Sequence, residues 1–487
     1  MGIRCYTPLT AVLACFAATL LLAPAAGATS GTLLISASTT LTEDHQGSIV
    51  VAADGVTLDC AGFAVTGPGT FGILLSGRHD VTVRNCNVSG FLHGVGLLDS
   101  SRSEVTEIRS HHNVLAGFVL GGGAQNSLVS NVADSNGHNG FQLSAPSTTT
   151  LAHNLASGNG GTAGIALGFS IGNTMRNNRS VANENFGIHM FSSTDNELTG
   201  NTTNTNGLSG IALESGSDRN TLERNTATAN SDQGLLLVNS SNNTLFDNSV
   251  SQNRANGYVL VGSTFNVLRA NSATGNSGGF LVEASSDNEF AANTARNNGG
   301  PGFWVRFGAD DNTLELNSVS ANTEGIVVEA SARNVLVDNA ATKNGNTGYW
   351  IREGSNGTRL EHNLAQANTF GIVFWDTNGS SVRNNTANRS IASGISFLRS
   401  NDNHIVTNTA NVNGTFGIDV STSDRNRFEG NTANANKWVG ISLMAGASSN
   451  EVTMNVARQN GIVDAADELT GAGNVWTNNN FGTTSGI

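Results

Sequence analysis

The chain has 487 residues, a formal net charge of −13, 58 glycines and only 13% charged residues. Its lysines stand at Lys343 and Lys437 alone, and so acidic a surface argues against nucleic acid or another polyanion as partner. Beyond the N-terminus no stretch approaches the ~20 apolar residues that a membrane span needs.

Residues 1–28 carry Arg4, an apolar run from Ala11 to Leu22 and the small-residue site Ala26-Gly27-Ala28. That combination reads as a secretory signal, so the expected product is secreted or periplasmic. Removal of the segment deletes Arg4 and no acid, which moves the charge from −13 to −14. Residues 29–55 are expected to cap a repeat that begins with two degenerate units near Val56 and Val81. Cys60 and Cys86 lie about one period apart in those units, as side chains on adjacent coils would. In an oxidising compartment they suit a disulfide, and two stacked small apolar side chains remain the alternative.

From Ser103 onward each unit reads N-x-[LVF]-x-x-N-x-[AV]-x-x-N, a short turn, G-[IFY]-x-[LVIF], then a polar turn. An asparagine returns every 22 to 24 residues from Asn131 to Asn479, sixteen times without substitution. A second column runs from Asn113 to Asn460 and is broken at Ser390. Apolar and polar residues alternate over four to six positions and never recur at helical spacing, which is the pattern of short half-buried strands. Glycine opens the last strand of nearly every unit, from Gly72 to Gly440. A leucine-rich repeat shares the period, but it demands a denser leucine pattern and usually a helical half, which Thr, Asn, Ser and Gly do not supply here.

The expected fold is therefore all-β: a single-stranded right-handed parallel β-helix of about 19 coils with ~23-residue repeats and asparagine ladders. Its boundaries fall at 56–463, with 464–487 as the last coil and C-terminal cap. Stacked coils place like residues about 4.8 Å apart, and a primary amide, being both donor and acceptor, can bond the next one without end. The handedness comes from resemblance. The segments VTLDCAGFAVTG (56–67) and VTVRNCNVSGF (81–91), the NTLxxN and GIxL units and the closing GNVWTNNNFGTTS (473–485) resemble secreted right-handed β-helix proteins with the pectin-lyase-like fold and NosD-type repeats. That resemblance implies the fold. It leaves the function open among lyases, hydrolases, epimerases, adhesins and binding proteins. No catalytic motif of those enzymes is present. Of the ten histidines only His111 and His112 are adjacent, so no copper-ligand cluster is evident.

Chemistry is expected where the repeat departs from itself. In G-[IFY]-x-[LVIF]-y the residues x and y project outward. Across five coils x reads Leu281, Trp304, Val327, Trp350, Val373 and y reads Glu283, Arg306, Glu329, Arg352, Trp375, with Asp376 following. Trp304, Trp350, Trp375, Arg306, Arg352 and Asp376 thus form the candidate polysaccharide-binding track, because aromatic faces stack on sugar rings and guanidinium forks hold carboxylates or hydroxyls. Under a lyase, epimerase or hydrolase reading, Glu283 and Glu329 would be acid and base, two coils or about 9–10 Å apart, with Arg306 and Arg352 stabilising charge. An architectural protein without ligand is the third reading, since alternating Glu and Arg also form cross-strand pairs. His189 and Phe191 extend the track on the same face. Acids before many units, such as Asp195, Asp218, Asp310, Asp311, Asp402 and Asp424, are expected to close Asx turns. A stacked acid column could also hold Ca²⁺, but the glycine-rich nonapeptide signature of calcium-binding β-rolls is lacking, so no metal is the expectation and Ca²⁺ the alternative. The residues leave the oligomeric state open.

Overall fold

A computed structural model describes residues 28–468 and 473–487. The expected signal segment lies outside the described residues apart from Ala28. Among the described residues there is no helix, and so none long and apolar enough to cross a membrane.

Each regular coil contributes two three-residue strands and one longer strand. In one coil these are Thr313–Glu315, Ser318–Ser320 and Glu324–Glu329. All three pair in parallel, in register, with the next coil at Val335–Val337, Ala340–Thr342 and Thr347–Arg352. Repetition of this step builds three parallel sheets around a continuous apolar core, about 19 turns long, as the sequence predicts. In the same coil Leu314, Val319, Ile326 and Val328 point inward and are fully buried. Alternation within a strand puts their neighbours outside.

Three-residue strands need sharp corners. At each corner one residue adopts the left-handed conformation and an inward asparagine follows: Asp311 (φ 57°) before Asn312, Leu316 (φ 56°) before Asn317, Ala321 (φ 55°) before Asn322. A non-glycine residue in that conformation costs about 1–2 kcal/mol. The asparagine offsets the cost by satisfying main-chain groups that the bend removes from the sheets. Asn317 donates through Nδ2 to the carbonyl of Phe290 (2.9 Å) and to Oδ1 of Asn339 (2.9 Å). Its own Oδ1 accepts from the main-chain N–H and Nδ2 of Asn293 (2.9 and 3.1 Å).

The two expected ladders are joined by a third. It runs through the opening asparagine of each unit, from Asn173 to Asn334 and again from Asn403 to Asn474. Thr358 and Ser380 interrupt it. The second ladder stops at Asp464, whose carboxylate accepts from the main-chain N–H and Nδ2 of Asn460 and from the N–H groups of Gly482 and Thr483.

The glycine column has a steric origin. A Cβ on Gly348 would lie 2.7 Å from both the carbonyl of Gly371 and Nδ2 of Asn368.

Residues 29–55 wind along the same path: Leu33–Ile35 pairs with Ile49–Val51, and Thr39–Thr40 with Leu58–Asp59. At the other end Val475–Thr477 joins the sheet at Glu451–Thr453. Cys60 and Cys86, on adjacent coils, are joined by a disulfide.

Candidate functional site

The longer strands form the sheet whose outward face carries the departures from the repeat. The register is the expected one. Leu281, Trp304, Val327, Trp350 and Val373 are successive partners in one column, and Glu283, Arg306, Glu329, Arg352 and Trp375 in the next. Three indoles therefore share one wall, all half-buried. Trp350 and Trp375 lie nearly parallel, 6.1 Å between ring centroids and 13° between planes.

The charged residues between them are spent on one another. Arg306 binds Glu283 through Nε and Nη2 (2.9 and 2.6 Å) and lays its guanidinium 4.1 Å from the Trp304 ring centre. Glu329, 6% exposed, accepts from Trp304 Nε1 (2.7 Å) and from Arg352 Nη2 (3.0 Å). Arg352 in turn lies over Trp350 at 4.1 Å. Asp376 accepts two bonds from Arg399 (2.6 and 2.8 Å), which hold its carboxyl below the usual carboxylate range, and Arg399 reaches over Trp375 at 5.4 Å. The site residues predicted from sequence are thus brought together, but as an interlocked sheet of rings and ion pairs rather than free forks and free acids. Nε1 of Trp350, Nε1 of Trp375 and Nε of Arg352 are buried without a hydrogen-bond acceptor.

Two further groups lie on this face, His189, which the sequence places there, and Asp419, which it does not single out. His189 meets Glu214 of the next coil at 2.9 Å and stacks on Phe186, with centroids 4.7 Å apart. The offset from ring to glutamate is the one that joins Trp304 to Glu329, 25 residues in both cases. Asp419 follows Trp350, Val373 and Ser396 in the same column. Burial pushes its carboxyl up to about 6, and Ser396 Oγ donates to it at 2.7 Å. The burial of an outward residue depends on its neighbours in space, which a column position alone does not reveal.

The turn acids depart from expectation. Asp195, Asp311 and Asp402 are themselves left-handed corner residues, and each is bridged by the arginine one coil on: Arg219 (2.8 Å), Arg333 (2.6 Å) and Arg425 (2.8 Å). Asp218 and Asp310 accept from main-chain N–H groups of the next coil, at Ser241 (2.6 Å) and Ala332 (2.8 Å). The acids tie coil to coil instead of closing Asx turns, because the stacking period places a partner above each. Among the described residues no three of His, Cys, Asp and Glu gather as metal ligands would. His111 and His112 meet at 2.7 Å through their Nδ1 atoms, and His111 also meets Asn87 at 2.9 Å.

The wall is flat. From Asn131 to Asn479 the ladder step stays between 22 and 24 residues, so no coil has spare length to raise a loop over the face. Two surface hollows, of about 610 and 560 Å³, lie elsewhere, one beside Cys86 and Arg109 and the other beside Phe265 and Asp287.

Parallel coils of this period define a β-helix repeat protein, and its right hand comes from the family match: residues 35–180 and 247–365 match the family described as right handed beta helix region. Residues 135–259 and 351–485 match the family described as periplasmic copper-binding protein (NosD), and the chain belongs to that family. No curated protein matches it in sequence. Similar solved structures include a mutant of the periplasmic alginate epimerase AlgG, 13% identical over 63% of this chain and 78% of that one (TM-score 0.42). Another is the Dettilon tailspike protein, 15% identical over 60% of each chain (TM-score 0.39). The Azotobacter vinelandii mannuronan C-5 epimerase AlgE4 A-module is 14% identical over 69% of this chain and 86% of that one (TM-score 0.37).

Proposed function

We propose that this protein is exported and binds extracellular or cell-envelope polysaccharide along the Trp304, Trp350 and Trp375 wall. One observation carries the reading: three indoles and the guanidiniums lying over them gather on one flat outward face, while most other coils, those of His189, Glu214 and Asp419 apart, supply plain residues there. Half-exposed aromatic rings in a row are surfaces on which sugar rings stack, with Arg306 and Arg352 each covering one face of Trp304 and Trp350, and parallel strands hold them at fixed intervals. Flatness favours binding over turnover, since a hydrolase or lyase must enclose the scissile bond and exclude water from charges that develop there. Glu283 and Glu329 stand two strand steps apart, but each is committed to an arginine, and a general acid or base needs a hydrogen-bond path to substrate.

Retention of the full chain and of Trp350→Ala on glycan arrays tests the reading. Wild-type binding that Trp350→Ala abolishes is the expected result, and equal retention of both on every sugar rejects it. Incubation with polysaccharide followed by assay for new reducing or unsaturated ends tests the enzymatic alternative, and none should form.

A further inference from the structure

Three N–H groups on the wall have no acceptor, and they are neighbours. Trp350 and Arg352 lie on one strand, and Trp375 is the partner of Arg352 on the next. A buried donor without an acceptor costs about as much as a lost hydrogen bond, and three in one place call for a common cause. Their contrast is Trp304, whose indole N–H is satisfied by Glu329. The sequence offers Trp350 and Trp375 no such glutamate: the position 25 residues beyond Trp350 is Trp375 itself, and 25 beyond Trp375, two past its column partner Leu398, it is Ser400.

Charge decides what kind of acceptor fits. Both arginines of the wall are already matched, Arg306 by Glu283 and Arg352 by Glu329. Arg399 is matched by Asp376. Glu324 bonds Asn346 and no arginine, and Glu353 shares Arg352 with Glu329, its Oε1 standing 4.0 Å from Arg352 Nε and beyond hydrogen-bond reach, so the neighbourhood carries surplus negative charge. A polyuronate would bring carboxylates to a wall that has no free cation and a net negative field, and like charges at close range cost several kcal/mol. Hydroxyl, ether and carbonyl oxygens accept hydrogen bonds without that penalty.

Resting on the polysaccharide reading above, we infer that the Trp350, Arg352 and Trp375 corner is a subsite for a neutral glycan, whose uncharged oxygens take the three unpartnered N–H bonds while its rings lie on the indoles. The donors are sealed from water in the free protein, so the indoles tilt outward when the glycan binds. Trp304, locked to Glu329, stays still and serves as the fixed end of the track.

Titration calorimetry and tryptophan fluorescence on the full chain test this, with mixed-linkage glucan, galactomannan and chitin oligomers against polygalacturonate and alginate at physiological salt. The expected result is Trp350-dependent binding of a neutral glycan, with a fluorescence change and no polyuronate binding. Trp350→Phe combined with Trp375→Phe keeps both rings and removes two donors, and it should weaken that binding by roughly ten- to thirtyfold, about fivefold per hydrogen bond. Trp350→Phe alone, expected to weaken it about fivefold, guards against a folding defect in the double variant. Trp350-dependent binding of polyuronate in preference to neutral glycans would leave the polysaccharide reading standing and overturn the selectivity. Full affinity in the phenylalanine variants would overturn the role of the donors. If wild type binds none of these glycans, the polysaccharide reading fails and this inference with it.

Discussion

At the corners, asparagine repeats from Asn131 to Asn479 without substitution, whereas the outward column from Leu281 through Trp304 and Trp350 to Asp419 changes residue at almost every coil. Both are columns of stacked side chains at one strand spacing. They differ in what happens when a member is replaced. A corner asparagine bonds its neighbours on both sides and the bent main chain, so one substitution strands groups on several coils. An outward residue can be lost with little effect on the stack, and the face is therefore where a solenoid is free to vary and to carry a site.

The sharpest way to break that contrast is Asn317→Ala. It leaves the main-chain N–H of Asn293 without its acceptor and the Phe290 carbonyl without its donor, at about 1–3 kcal/mol each, so a loss of about 3 kcal/mol or more is expected in chemical denaturation. A loss no greater than that of an outward alanine substitution would sink the distinction between corner and face.

Asp419 is the outward residue expected to cost stability rather than add it. Its folded carboxyl is raised from 3.8 to about 6 by burial, so folding favours the protonated form. Below about pH 3 both folded and unfolded states are protonated and there is no penalty. The penalty grows as pH rises towards 6 and is complete above it, at most about 3 kcal/mol. Asp419→Asn should therefore raise the melting temperature at pH 8 and raise it far less at pH 4. A gain of equal size at both pH values would assign the effect to packing.

Glu329→Gln sharpens the comparison within the wall. Glutamine keeps an oxygen for Trp304 Nε1 but removes the charge that faces Arg352, a largely buried pair. A loss of about 1–2 kcal/mol is expected, smaller than at the corner because an amide oxygen can keep both bonds that Glu329 Oε2 accepts, from Trp304 and Arg352. Its measurement is the difference in denaturation midpoint between pH 7 scans of the two proteins.

Much of this was legible in the sequence because the period is strict. Asn131 to Asn479 predicts the coil, the G-[IFY]-x-[LVIF]-y pattern predicts which residues face out, and once the coils stack the convergence of Trp304, Trp350 and Trp375 follows. The third asparagine ladder was legible in part, but Thr358 and Ser380 interrupt it and hide its continuity. The left-handed corners carry no signal, since residues as different as Leu316, Ala321 and Asp311 adopt them wherever the following asparagine meets the cost. Side-chain pairing across coils, such as Trp304 to Glu329 or Asp311 to Arg333, depends on rotamers and lean along the strand, and a column alignment does not specify those.

The smallest expected effect is also the most discriminating. Trp350→Phe retains an aromatic ring beneath Arg352 and removes an indole N–H that has no acceptor. If the wall exists to hold the coils together, loss of ring area and of part of the cation–π contact should lower stability, because indole is the better ring for that contact. If the wall exists for a ligand, the free protein bears the unsatisfied donor without return, and its removal offsets the lost contact. The expected outcome is a stability within about 1 kcal/mol of wild type, on either side, beside a weakened glycan complex. A loss above about 2 kcal/mol in the absence of ligand would instead make Trp350 part of the scaffold, and the face would then obey the same rule as the corners.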